Sequence, residues 1–195
     1  MPIDLATHRQ HTLEVAITLF ALLCPFALHA GELLSAYVDR RDDHYLLHLD
    51  MRIQGKYADV YKVLVDFNNI PLINDSIKSS KELEHEGKVH RVHIVGEGCL
   101  WIFCRRIEQV QTVTEHADGY IVSVTDPALS DLRYGRALWH LVDEGKTTRV
   151  EYNADFVPDF WVPPLIGPML LKHRILEEGQ KTINGIERLI QQRQH

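Results

Sequence analysis

The sequence predicts an α+β domain, a curved antiparallel sheet of about six to seven strands wrapped around a long C-terminal helix, with two short helices after the first strand. Three observations carry this. A strand-like stretch at 45–55 runs straight into apolar residues at helical spacing. From 77 to 156 the apolar period is two, broken at short turn signals. From 168 to 192 the period returns to that of a helix, and no strand follows it.

The first 30 residues precede this pattern. "VAITLFALLCPFALHA" at 15–30 has no charge and ends in small residues. It is short and Pro-broken for a membrane span, which needs about 20 apolar residues. It matches the apolar core and cleavage end of a secretory signal, with the cut expected after Ala30. The domain is then 31–195, expected in a periplasm or outside the cell. Removing Asp4, Arg9 and Glu14 moves the net charge from −6 to −5. A chain of that charge with no basic stripe gives no reason to expect nucleic-acid binding.

The elements follow in order. "YLLHLDMRIQG" alternates as a strand up to Gly55, and Val60, Leu64 and Phe67 then recur at helical spacing over 56–67. "NN" and Pro71 stop that helix, and a second short turn is expected around Leu72 to Asp75. "IKSSKELEH", "VHRVHIVGEG", "CLWIFCRRIEQVQTVTE", "YIVSVTDPA", "LRYGRALWHLVDE" and "TTRVEYNADFV" read as successive strands. The last is the clearest: Val150, Tyr152, Ala154 and Phe156 share one face, and Arg149, Glu151, Asn153 and Asp155 the other. "DFVPDFWVPPLIGP" holds too many prolines for a strand or helix interior and too many apolar groups for a bare loop. It is a connector into the final helix, whose inward stripe is Leu171, Ile175, Gly179, Ile183, Ile186 and Ile190.

Cys99 and Cys104 are expected as two separate buried thiols. Five residues of extended strand span about 16 Å, bridged Cα atoms sit about 5.5–6 Å apart, and "LWIF" holds no turn residue.

This order is a helix-grip arrangement, and the residues carry a resemblance as well. "DMRIQGKYADVYKVLVDFNNIPLINDSIKSSKEL", "GRALWHLVDEGKTTRVEYNADF" and "PPLIGPMLLKHRILEEGQKTINGIERLI" resemble the opening, last hairpin and closing helix of the START-like SRPBCC superfamily. The likeness is nearest to its polyketide-cyclase or coenzyme-Q-binding START-type branch and covers residues 45 to 193. It implies a cavity between sheet and helix for a lipid, quinone, sterol or polyketide-like molecule. Fold alone does not fix function.

The candidate ligand-binding residues are Trp101, Phe103, Tyr120, Trp139, Tyr152, Phe156, Trp161, Gly179 and Ile183. Large aromatics at strand spacing serve equally as plain core. Trp139 and Tyr152 stand out, because alternation puts both on covered faces of adjacent strands and each brings a polar tip needing a partner. Gly179 interrupts the helix's inward stripe, either for close packing on the sheet or to leave room for a ligand. Phe160, Trp161, Leu165, Ile166 and Met169 form a rim held by prolines, suited to transient membrane contact.

No catalytic set is expected. Glu97, Arg105, His140 and Tyr152 are the polar candidates for cyclase or isomerase chemistry and form no acid–base pair in sequence. No metal or other cofactor is expected either. His90 and His93 have opposite parity on one strand, and no carboxylate is placed with the histidines. The leading expectation is an exported carrier of a hydrophobic small molecule. An enzyme acting in the same cavity is the alternative.

Overall fold

A computed structural model of the chain describes residues 30–100, 103–162 and 167–194. The leader-like segment before Ala30, Trp101, and Leu165 with Ile166 lie outside the described residues. Eight strands form one antiparallel sheet: β1 (Glu32–Arg41), β2 (His44–Gln54), β3 (Ile77–Glu86), β4 (Val89–Leu100), β5 (Phe103–Glu115), β6 (Tyr120–Thr125), β7 (Leu132–Asp143) and β8 (Thr147–Pro158). Their spatial order is β1-β2-β8-β7-β6-β5-β4-β3. The helices are α1 (Tyr57–Leu64) and α2 (Gly167–Arg193), with a 3-10 turn at Phe67–Leu72 after α1. This is the expected α+β arrangement, and the second helical turn starts earlier in the chain than expected.

The alternation of β2 sets the core. Tyr45, Leu49, Met51 and Ile53 are buried on its inner face. β1 adds a strand ahead of the first expected one. A register shift between Leu33 and Ser35 breaks its parity, and as an edge strand it leaves Leu34 and Tyr37 exposed, so its alternation is hard to read. It reaches β2 through a two-residue turn in which Asp42 has φ 57°, a conformation aspartate tolerates.

The 27-residue helix α2 extends about 40 Å at 1.5 Å per residue. Ile175, Ile183, Ile186, Leu189 and Ile190 are buried along it. Each such side chain is worth about 1.5–3 kcal/mol removed from water. A Cβ on Gly179 would meet Leu33 and Leu49 at 3.4–3.6 Å, an ordinary packing distance. Gly185 is far tighter: a Cβ there would lie 1.8 Å from the Ile73 carbonyl oxygen. The contact that demands a missing side chain is therefore nearly two turns further on, where α2 crosses the chain leaving the 3-10 turn.

Cys99 and Cys104 are a disulfide, with Cα atoms 3.9 Å apart, and the expectation of two free thiols is corrected. β4 and β5 pair antiparallel from Val89↔Thr114 to Leu100↔Phe103, which sets Cys99 directly opposite Cys104. Separation along an extended strand was the wrong measure, because the two cysteines sit on facing strands. A loop this short constrains the unfolded chain by about 2 kcal/mol. Full reduction, or Cys104→Ser, is expected to lower Tm by about 4–8 °C. Thermal melts with and without reductant check this, and identical Tm values would remove the stabilising role.

Candidate functional site

A cavity of about 310 Å³ lies between the inner faces of the strands, the segment after α1, and Thr182 of α2. One wall is aromatic. Trp139 and Tyr152 are direct cross-strand partners on β7 and β8, with ring centroids 4.2 Å apart. Phe156 extends that wall and stacks on Tyr45 at 5.6 Å. Phe67 and Ile70 face it from the 3-10 turn. Ala137 and Ala154, paired across β7 and β8, keep the wall between them low.

The opposite wall reverses the usual pattern. On β6, Ser123 and Thr125 are buried while Tyr120 and Val124 are exposed on the outer face. On β5, Gln109 and Gln111 face the cavity. The Gln109 amide donates to Thr125 Oγ1 at 2.6 Å and to Gln111 Oε1 at 3.2 Å. Apolar-out, polar-in alternation costs stability unless the inward groups find partners. Here a ladder of amides and hydroxyls meets an apolar space.

Tyr152 faces the same space. Its ring touches the cavity while burial withdraws it from bulk water and pushes its pKa to about 12, so the hydroxyl stays protonated at neutral pH. Among the described residues no group hydrogen-bonds that hydroxyl, and the side chain that carries it borders the cavity. At the helix side, Asn74 donates to Thr182 Oγ1 at 3.1 Å and to the Glu178 carbonyl at 3.3 Å. Ser76 donates to the Glu178 carboxylate at 2.6 Å. These bonds tie α2 to the residues that follow the 3-10 turn.

The candidate residues divide. Trp139, Tyr152 and Phe156 line the cavity. Trp101 lies outside the described residues, and Phe103 is placed by its backbone pairing with Leu100 alone. Tyr120 is corrected: it stacks on His140 at 4.2 Å on the outer face, because Ile121, not Tyr120, has the inward parity of β6. Trp161 is 75% exposed and borders a shallow groove with Tyr45, Arg133 and Phe160 instead of the cavity. Gly179 packs on Leu33 and Leu49, and Ile183 lies in the helix–sheet core near Gly31, so neither borders the cavity and Thr182 does.

The polar candidates for chemistry are not gathered either. His140 sits outside with its Nδ1 3.5 Å from Glu151, and Glu97 is exposed. The Arg105 guanidinium lies over the Phe160 ring at 4.1 Å. Only Tyr152 of the four borders the cavity. The inward polar residues Gln109, Gln111 and Ser123 were missed because a run of polar residues in a strand reads as a solvated face. For Ser123 the one sequence signal is that Tyr120, Val122 and Val124, on the alternate positions of β6, are apolar.

Solved structures share this architecture. A STAR-related lipid transfer protein from Xanthomonas axonopodis superposes with a TM-score of 0.61 at 17% identity, over 84% of this chain and 99% of that one. An aromatase/cyclase from Streptomyces gives 0.63 at 12% identity, over 78% and 96%. A START superfamily protein from Mycobacterium smegmatis gives 0.60 at 14%, over 75% and 97%. No family model and no curated protein matches the sequence. At these identities the likeness shows the fold alone, an antiparallel helix-grip sheet closed by a long C-terminal helix.

Proposed function

We propose that the protein is a carrier that holds a neutral, oxygen-bearing hydrophobic molecule in the cavity between sheet and helix. The observation that carries this is the pairing of an aromatic wall with inward, uncharged polar groups: Gln109, Gln111, Ser123 and the unpartnered Tyr152 hydroxyl. Arg136 and Asp155 border the space too, but Arg136 is exposed and the Asp155 carboxylate is engaged by His44 at 2.7 Å. Amides and hydroxyls suit a ketone, quinone or sterol-like hydroxyl better than a fatty-acid carboxylate, which needs a cation once desolvated. A volume of about 310 Å³ is at the small end of ligand sites, which run about 300–1,000 Å³, and favours one fused-ring or single-chain molecule over a two-chain lipid.

Export is part of the proposal. The signal-like start of the chain and a disulfide, which persists in oxidising compartments, both support it. Trp161, exposed on the connector, offers an apolar contact for a membrane from which cargo is taken. The cyclase or isomerase alternative rests on the Tyr152 hydroxyl as a proton donor, and it lacks a base beside that group among the described residues.

The test is native mass spectrometry of the protein purified from its own host, followed by extraction and a challenge with a short-chain quinone, a sterol and palmitate. Neutral cargo that co-purifies or loads in preference to palmitate is expected. Trp139→Ala is expected to weaken that binding at least tenfold, about 1.4 kcal/mol. A protein that stays free of ligand after all three challenges defeats the carrier reading.

A further inference from the structure

A second constellation sits on the β3–β4 hairpin, behind Phe67, whose ring lines the cavity and lies 4.8 Å from that of His90. In a regular strand, residues 82 and 85 point to opposite faces. Here the register shifts between Glu82 and Glu84, so Leu83 is an extra residue and Glu82 and His85 turn to the same face. His85 is paired directly with His90, their rings 4.4 Å apart.

The ring nitrogens can be accounted for one by one. His85 Nε2 lies 2.7 Å from the Gly87 carbonyl oxygen, an obligate acceptor, so Nε2 donates and Nδ1 carries the lone pair. That Nδ1 faces Glu82 Oε1 at 3.9 Å. Buried His90 has Nε2 at 2.8 Å from Glu115 Oε1, and the other Glu115 oxygen accepts the Tyr61 hydroxyl. With Nε2 donating to that carboxylate, His90 Nδ1 points at Glu82 Oε1, 2.5 Å away. Both imidazoles are thus turned by outer acceptors so that their Nδ1 atoms face one carboxylate, at 3.9 and 2.5 Å, and one ligand atom from each of the three residues lies within 4.8 Å of the other two. Far nitrogens donating to a carbonyl and a carboxylate, with near nitrogens converging, is the outer shell that orients histidines on a metal.

We propose that Glu82, His85 and His90 bind one divalent transition ion of the zinc class. Bonds of about 2.0–2.2 Å to nitrogen and oxygen fit between these atoms once the half-buried Glu82 carboxylate rotates to open the His90 contact and close the His85 one. The ion takes the place of the proton that bridges His90 and Glu82, and that proton leaves to solvent. Two imidazoles favour zinc, cobalt, nickel or copper over calcium and magnesium, which take oxygen ligands. Three protein ligands leave a fourth position toward the exposed side of His85. Parity within one strand could not reveal the group, because its members are joined by a bulge and a cross-strand pair.

The experiment titrates Co²⁺ alone into the tag-free, chelator-treated full-length chain, reading visible absorption, with Zn²⁺ then added as competitor. One equivalent with ligand-field bands, displaced by Zn²⁺, and a Tm that rises with Zn²⁺ are expected. His85→Ala and Glu82→Gln are expected to weaken that equivalent at least a hundredfold. His85 is exposed, so its variant should keep the wild-type fold and metal-free Tm. His44→Ala, on the outer face of β2, should bind as the wild type does. Absence of a stoichiometric equivalent, or equal binding by the wild type and His85→Ala, overturns the proposal.

Discussion

Gly185→Ala is expected to destabilise the protein by about 3 kcal/mol or more, the largest loss of any single methyl addition considered. The added carbon would lie 1.8 Å from the Ile73 carbonyl oxygen and 2.7 Å from its carbon, and both atoms are backbone. No rotamer relieves that contact, so α2 must lift from the chain that follows the 3-10 turn. Overpacking a well-filled core costs about 1–3 kcal/mol and more when the backbone must move. Lifting α2 also strains the Asn74 and Ser76 bonds to Thr182 and Glu178. In a domain of this size the loss appears as a Tm decrease of about 6–12 °C. Gly179→Ala is the paired control. Its methyl meets only the flexible ends of Leu33 and Leu49 at 3.4–3.6 Å. Gly costs about 1 kcal/mol relative to Ala in a helix interior, so a change within about 1 kcal/mol of wild type, of either sign, is expected. Equal losses at the two glycines would show that the helix crossing has been placed wrongly.

Ala154→Phe is expected to reduce cargo binding at least a hundredfold while leaving Tm unchanged or higher. Ala154 and Ala137 face each other across β8 and β7 on the cavity wall. A phenyl ring there occupies much of a space of about 310 Å³ beside Tyr152 and Phe156. Filling an apolar void restores contacts that its lining lacks, which is why stability should not suffer. Val124→Phe, on the exposed outer face of β6, is expected to bind as the wild type does. Ligand titration by tryptophan fluorescence of Trp139, with a thermal melt of each variant, reads both effects. If Ala154→Phe bound normally, the cargo would have to sit elsewhere.

The fold was legible because long-range packing needs only period and order. The switch from period two at Thr147–Pro158 to a helical stripe at Gly167–Arg193 is a local signal, and Val150, Ile183, Ile186 and Ile190 are buried as that stripe requires. The site was legible in part. The place of Tyr152 on the cavity wall was readable because the alternate residues of its strand, Arg149, Glu151, Asn153 and Asp155, are polar, and Trp139 is its direct cross-strand partner. Tyr120 was misplaced because the strand it starts has the opposite bias, with Ser123 and Thr125 inward. A strand bordering a cavity is not bound by the apolar-in rule, and nothing local says which strands border one. Gly179 looked special because a glycine in an apolar stripe stands out, whereas Gly185 takes its role from Ile73, a residue far away in sequence. Cys99 and Cys104, and equally His85 and His90, are neighbours through hairpin register. Register depends on where a turn or bulge falls, and the sequence "LWIF" between the two cysteines carries no glycine, proline or asparagine to signal one.

Gly31 has a consequence for the timing of maturation. For the exported form proposed above, the cut after Ala30 makes Gly31 the first residue of the finished chain. Gly31 is buried, and even a methyl there would lie 2.3 Å from the Glu187 carboxylate and 2.6 Å from both the Arg52 carbonyl and Ile183. A peptidase has to draw the residues on both sides of its bond into an extended, open conformation. Two of those three walls, Glu187 and Ile183, belong to α2, which lies more than 130 residues further along the chain than the cut. In the exported form proposed above, leader removal and closure of the helix would compete: a chain cut while α2 is still undocked would proceed to the finished form, and a chain whose helix closes first would shield its own processing site.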